Sequence, residues 1–79
     1  MNAEKDKIAN DILSKFKSLN LDDKHALPAR WLSLIYYPTL TLPEKAVFQD
    51  TVRELIAQDI VRPVRDTIML TKKGVEKIY

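Results

Sequence analysis

The 79-residue sequence contains no cysteine, one glycine and one histidine. Without cysteine, the chain has no disulfide, no thiolate metal ligand and no thiol nucleophile. One glycine is too few for a glycine-rich phosphate loop, and one histidine is too few for a histidine-based metal cluster. These absences exclude most common catalytic, metal and cofactor sites within one chain, so we expect a protein that is not an enzyme and binds no cofactor.

Long hydrophobic runs are also absent. The longest, Trp31 to Tyr37, contains a serine and is about a third of the ~20 residues that span a bilayer. The first residues alternate charged with isolated apolar side chains, unlike a secretory signal. With 46% hydrophobic and 30% charged residues, the composition is typical of a folded domain. We expect a single cytoplasmic domain over residues 1–79 with no membrane partner.

The net charge of +2 at pH 7 is too small to indicate a partner, but its distribution is uneven. Residues 1–60 carry eight basic and nine acidic side chains, whereas residues 61–79 carry five basic and two acidic ones. The basic excess is therefore C-terminal. Its members are Arg62, Arg65, Lys72, Lys73 and Lys77.

The spacing of apolar residues predicts two helices in the first half of the chain. The first extends from about Ala3 to Leu19. The second begins at Pro28, because a proline is tolerated in a first helical turn, and ends at about Tyr37. Pro38 ends it because the residue before a proline is pushed out of the helical region. The predicted apolar stripe of this second helix comprises Leu27, Trp31, Leu34 and Ile35.

A third helix is predicted most clearly. Thr41 and Glu44 have the spacing of a capping box, and Pro43 lies where a first turn tolerates it. Apolar residues then repeat with a helical period up to Ile56, and the pattern changes after Asp59.

The remaining residues predict a hairpin and a short last helix. Two β-branched or apolar runs, Ile60–Val64 and Thr67–Leu70, are separated by an Arg-Asp pair. Pro63 cannot donate a ladder hydrogen bond, which favours an edge strand. The last helix extends from Lys72 to Tyr79, capped by the preceding threonine and weakened by Gly74.

This order of elements is that of a winged helix-turn-helix domain, mainly α with a two-stranded wing. The last third of the chain also resembles the PadR- and MarR-type bacterial transcriptional regulators. Arg53–Val61 resembles the end of their recognition helix, Arg62–Met69 the wing, and Leu70–Gly74 their L-T-x-x-G element. Asp59 stands where these families usually have glycine. The resemblance implies that the third helix lies in a major groove of double-stranded DNA and that the hairpin touches the flanking backbone.

Lys45, Gln49 and Arg53 are the candidate base-contacting residues of the third helix. They are spaced i, i+4, i+8 opposite the apolar stripe, and their side chains suit guanine edges, adenine edges or phosphates. Three acidic residues lie on or beside the same face, so an ordinary solvated face of mixed charge is the alternative interpretation.

The hairpin offers a second candidate surface, whose cations would bind phosphate without reading bases. The alternative is an edge strand that charge keeps soluble. Both interpretations stay open at this stage. The residues are Arg62, Arg65, Lys72 and Lys73.

Two further groups are candidates for other sites. Tyr36 and Tyr37 point in different directions on a helix, so at least one is expected to be partly exposed and to serve as a protein-interface anchor. His25 with Asp22 and Asp23 has metal-ligating residue types, but adjacent polar residues in a loop are more typical of turn chemistry.

Two functional hypotheses follow. The first is a small DNA-binding transcriptional regulator of bacterial or phage type, dimeric through its N-terminal helix. The second is a winged-helix-like protein–protein interaction module that binds no nucleic acid.

Overall fold

The structure is a computed structural model that describes residues 2–79. This range contains three α-helices, one π-helical segment, one 3-10 turn and an antiparallel hairpin, joined by loops. This agrees with the predicted mainly α class with a small hairpin. No helix in this range is long and apolar enough to cross a membrane. The elements in chain order are α1 (Ala3–Ser18), the π-helical segment (Trp31–Tyr36), a 3-10 turn (Tyr37–Thr39), α2 (Leu42–Ala57), β1 (Val61–Val64), β2 (Thr67–Leu70) and α3 (Lys72–Ile78).

Helix α1 has the predicted position and buries its whole apolar stripe. The Asn2 side chain caps the helix by accepting a hydrogen bond from the Lys5 amide at 3.0 Å. Asn20, with φ of 55°, takes the left-handed conformation just beyond the helix end. The helix packs mainly against α2. Its buried residues are Ile8, Ile12, Leu13 and Phe16.

The prediction of a second helix from Pro28 to Tyr37 was wrong about the type of helix and about its first residue. Arg30 has φ of 65°, so residues 28–30 cannot form a first α-helical turn, and winding begins only at Trp31. The turn is π-helical, with the Tyr37 amide donating to the Leu32 carbonyl five residues earlier. Pro38 lies inside the 3-10 turn that follows.

The predicted apolar stripe of this segment was wrong at two positions. Leu34 and Ile35 are 64% and 62% exposed, whereas Leu32 and Tyr36 are buried. Trp31 is half-buried, and its ring stacks on Tyr36 with centroids 5.1 Å apart. The large stacked rings fill the space over α1 and α2, so the two aliphatic side chains are left facing solvent.

Helix α2 begins with the predicted capping box. The Thr41 hydroxyl accepts from the Glu44 amide at 3.3 Å, and the Glu44 carboxylate accepts from the Thr41 amide at 2.8 Å. Pro43 has no amide hydrogen, so the helix start has three unpaired amides, of which the capping box satisfies two. Leu55 and Thr51 are the buried residues of its inner face, and the Thr51 hydroxyl donates to the Val47 carbonyl.

The hairpin lies at an edge of the fold, with β1 as its outer strand. Pro63 is opposite Ile68 in the antiparallel ladder of β1 and β2. On the other side of β2, Ala26 forms an isolated antiparallel bridge with Met69. Strand β2 is therefore the inner strand, and β1 has the edge position that a proline without an amide hydrogen favours.

Thr71 and Gly74, which follow the hairpin, contact Ile60, the residue just before the hairpin. The Thr71 amide donates to the Ile60 carbonyl at 3.1 Å. The Thr71 hydroxyl lies 2.5 Å from the Asp59 carbonyl oxygen and 3.0 Å from the Ile60 carbonyl oxygen, and it accepts from the Gly74 amide at 3.0 Å. A Cβ atom on Gly74 would overlap the Ile60 carbonyl oxygen and the Leu70 side chain. Gly74, predicted to be a weak point of α3, is thus what allows the helix to pack so closely.

We expect Gly74→Ala to destabilise the fold by about 1–3 kcal/mol, although alanine is the better helix former. The reason is that the obstructing atom is a backbone oxygen, held by the hydrogen bond from the Thr71 amide, which cannot rotate away. Urea denaturation followed by circular dichroism measures the change. Glu76→Ala, at an exposed position of α3, is the control, and equal stability of the two variants would contradict the close contact.

Candidate functional site

Three of the seven predicted DNA-binding residues meet at one depression beside the hairpin. Arg62 is opposite Met69 in the ladder, and both side chains line the depression. Lys72 and Lys73 line it from the first turn of α3, directly after β2. We call Arg62, Lys72 and Lys73 the basic cluster. Arg65 lies apart from it in the hairpin turn, exposed and with φ of 52°.

The basic cluster is not neutralised by ion pairs. Asp23 and Asp59 line the same depression, but within residues 2–79 no carboxylate lies within 4.0 Å of the cationic groups of the cluster. Lys72 and Lys73 also stand in the first turn of a helix, where the helix dipole disfavours positive charge. Their position therefore does not stabilise α3 and leaves them available to an anion.

Two of the three candidate residues of α2 are less available. The Lys45 Nζ atom lies 5.4 Å from the centroid of the Tyr37 ring, a cation–π contact. Arg53 forms an exposed pair with Asp50, with 3.8 Å between Nη1 and Oδ1. Gln49 is exposed and shares a shallow depression with Lys45 and Tyr37. The structure thus brings Lys45 and Gln49 together and directs Arg53 toward its own helix.

The two tyrosines of the candidate protein interface have different surroundings. Tyr36 is buried, and its hydroxyl donates to Asp11 at 2.7 Å. Burial, and then this hydrogen bond, raise the pKa of Tyr36 well above its ordinary value. Tyr37 is half-buried, with its ring 5.2 Å from Phe48 in an edge contact. Tyr36 therefore presents no surface to a partner, and only Tyr37 retains part of one.

A polar network behind Tyr36 connects α1 with the start of α2. Lys7 lies 3.2 Å from Asp11 and 3.4 Å from Glu44. The hydrogen bond from the Thr41 amide, and then the charge of Lys7, hold the pKa of Glu44 below its ordinary value. Asp11 was not predicted as part of a site, although its i, i+4 spacing from Lys7 was a signal for half of the network.

The residues around His25 form a hydrogen-bonded turn. Asp22 Oδ1 accepts from the Lys24 amide at 2.8 Å and lies 2.8 Å from His25 Nδ1. The Lys24 amide, and then His25, hold the pKa of Asp22 below its ordinary value. In the described part of the chain, no group of three or more His, Cys, Asp or Glu side chains is placed to hold a metal ion. This geometry favours the interpretation as turn chemistry.

The π-helical segment carries an exposed surface that was not predicted from the sequence. Arg30, Ser33, Leu34 and Asp66 line one shallow depression, and Ile35 is exposed next to Leu34. We call these five residues the Leu34 patch. The Leu34 patch was not predicted because a helical period of 3.6 residues places Leu34 and Ile35 in the core, whereas the π-helical winding exposes them.

Comparison with known proteins finds no relative of this chain. No protein-family model matches the chain, and no curated protein and no solved structure matches it at a significant level. Arguments about function therefore depend on the arrangement of the residues described above.

The network at Glu44 predicts a specific dependence of stability on pH. Because the pKa of Glu44 is lowered in the folded state, its ionised form stabilises the fold above the ordinary value of 4.5, and this stabilisation is lost as the pH falls through the lowered pKa. Glu44→Gln keeps an amide oxygen for the Thr41 amide but loses the charge facing Lys7. We expect the variant to melt below the wild type at about pH 7 and the difference to vanish toward about pH 2.

Thermal unfolding at several pH values measures this difference. Glu76→Gln is the control for loss of one carboxylate, since Glu76 has no ion pair among residues 2–79. A gap between wild type and Glu44→Gln that stays constant with pH would show that the ionised carboxylate is not the cause.

Proposed function

We propose that this chain is a small winged-helix-type DNA-binding protein that acts as a transcriptional regulator of bacterial or phage type. The observation that carries the proposal is the basic cluster, whose three cations line one depression beside the hairpin and form no ion pair within residues 2–79. The order of elements supports it, since three helical segments precede the hairpin and a short helix follows. Asp59 also supports it, because its φ of 60° is a conformation that glycine adopts readily, and the resembled families have glycine there.

The basic cluster suits the DNA backbone better than it suits bases. Lysine and arginine bind phosphate oxygens without regard to sequence, and each neutralised phosphate releases counterions. The hairpin and the start of α3 hold the three cations on one side of the fold, so they can reach neighbouring phosphates together. We therefore expect affinity to come mainly from this salt-sensitive contact.

Helix α2 would supply the contacts to base edges. Gln49 is exposed and has the amide that pairs with adenine in the major groove. The pair of Arg53 with Asp50 and the contact of Lys45 with Tyr37 are exposed or half-exposed interactions, each of which contributes about 1 kcal/mol or less. Binding can therefore exchange them for contacts to DNA at small cost.

A protein-interaction module is the second candidate. The exposure of Leu34 and Ile35 favours it, because aliphatic side chains at an interface gain from leaving water whereas DNA backbone gives them no such gain. This candidate places the partner on the Leu34 patch and requires nothing of the basic cluster.

A titration of a labelled mixed-sequence duplex tests the proposal. We expect the wild type to bind with an affinity that falls steeply between about 50 and about 200 mM salt. Lys72→Ala/Lys73→Ala should bind more weakly and should decrease the slope of log K against log salt by about 2. The matched control is Lys17→Ala/Lys24→Ala, which removes two exposed lysines outside the basic cluster and should keep the slope of the wild type.

Two results would contradict the proposal. The first is the absence of any binding by the wild type at about 50 mM salt. The second is an equal loss of affinity in both double variants, since affinity would then depend on net charge alone and not on the position of the basic cluster.

A further inference from the structure

The Leu34 patch combines exposed aliphatic surface with one charge of each sign. Leu34 and Ile35 are both more than 60% exposed. Arg30 and Asp66 border Leu34, with 3.8 Å between Nε and Oδ2 and with about two thirds of each side chain exposed. An exposed pair at this distance contributes little to folding and can be exchanged for a pair with another molecule.

Helix α1, the dimerisation element expected from the sequence, has little apolar surface left for a partner beyond the small side chains of Ala3 and Ala9. All four residues of its apolar stripe are buried within the chain. Its outward positions carry lysine, aspartate, asparagine and serine, among them Asn10, Ser14 and Lys17. Association through this face would bury polar groups without an apolar gain.

We propose that the Leu34 patch is the surface through which two copies of this chain associate. The argument is charge complementarity. In a two-fold contact each surface meets a copy of itself, so Arg30 of one copy can face Asp66 of the other, twice, while the aliphatic side chains meet at the centre. A partner of single sign, whether a nucleic acid or an acidic or basic protein, would oppose one of the two charges. A second copy satisfies both.

This inference does not depend on DNA binding, although the two fit together. Ser33 lines both the Leu34 patch and the depression that contains Lys45 and Gln49. Two copies joined at the patch would therefore carry their α2 faces on either side of a two-fold axis, the arrangement that reads two half-sites.

Sedimentation equilibrium of the full chain, without DNA, tests the aliphatic part of the contact. A patch of this size predicts a weak dimer, so the concentration range extends from about 10 µM to about 1 mM. We expect Leu34→Ser/Ile35→Ser to raise the dissociation constant of the dimer at least about tenfold. Leu42→Ser is the control, because Leu42 is an exposed aliphatic residue, 81% accessible, that does not line the patch. Circular dichroism confirms that each variant is folded.

Charge swaps test the two-fold pairing itself. Arg30→Asp carries aspartate at both positions, and Asp66→Arg carries arginine at both, so each variant alone opposes like charges and should be monomeric. Mixed in equal amounts, the two should form a heterodimer, because every pair across the axis is then of opposite sign. Aspartate tolerates the left-handed backbone of position 30, so the substitution fits the fold.

Recovery of the dimer in the mixture supports the proposal. If positions 30 and 66 paired only within one chain, mixing the two variants would restore neither that pair nor the dimer. A wild type that remains monomeric up to about 1 mM, a dimer unaffected by Leu34→Ser/Ile35→Ser, or a mixture without heterodimer would overturn it. Capture of an unrelated protein by a monomeric chain would overturn it equally. None of these results bears on DNA binding, which is measured separately by the duplex titration.

Discussion

The close contact of Gly74 with the Ile60 carbonyl fixes the position of everything that follows α2. Ile60 precedes the hairpin and Thr71 follows it, and the hydrogen bonds of Thr71 to the Ile60 carbonyl and to the Gly74 amide join the two ends of the hairpin to α3. Because a Cβ atom does not fit at position 74, the contact requires glycine, and the chain has its only glycine there. The Leu-Thr-x-x-Gly sequence thus stabilises the packing of α3 against the start of the hairpin. It also holds the first turn of α3 close to Ile60, just before β1, where Lys72 and Lys73 line the same depression as Arg62.

A second constraint is the competition for core space around Tyr36. Its ring lies between Trp31 and Phe48, at centroid distances of 5.1 and 6.3 Å, and its hydroxyl reaches Asp11. Buried tyrosine needs a partner for its hydroxyl, and Asp11 on α1 supplies it. This arrangement is compatible with a π-helical turn that faces two aliphatic side chains outward. The exposed Leu34 patch is therefore the other side of the aromatic core, and stability and surface properties are linked in this segment.

Local rules predicted most of the fold. The capping box at Thr41 and the edge position of Pro63 each follow from the chemistry of one or two neighbouring residues, and the structure shows both. The π-helical segment was not predictable in this way. Its winding depends on the left-handed Arg30 and on packing between aromatic rings that are distant in sequence. Gly74 was misjudged for the same reason, since its obstruction comes from Ile60, fourteen positions earlier.

The same distinction between local and long-range interactions applies to the candidate sites. Residue type and periodicity identified the basic residues of the hairpin, because positive charge near a hairpin is visible in the sequence. Which of them converge depends on the register of the ladder, which places Arg62 beside Lys72 and Lys73 and leaves Arg65 in the turn. The engagement of Lys45 by Tyr37 likewise depends on a contact between two segments. Sequence spacing can place residues on one face but cannot show which of them already have partners.

The central claim, that the hairpin side of this fold binds the DNA backbone, is tested most directly by amide chemical-shift mapping during titration with a short mixed-sequence duplex at low salt. The account predicts that the largest shifts occur at Arg62, Lys72 and Lys73, with smaller shifts along the exposed face of α2 near Gln49. Shifts confined to α1, or the absence of any shift at saturating duplex, would contradict it.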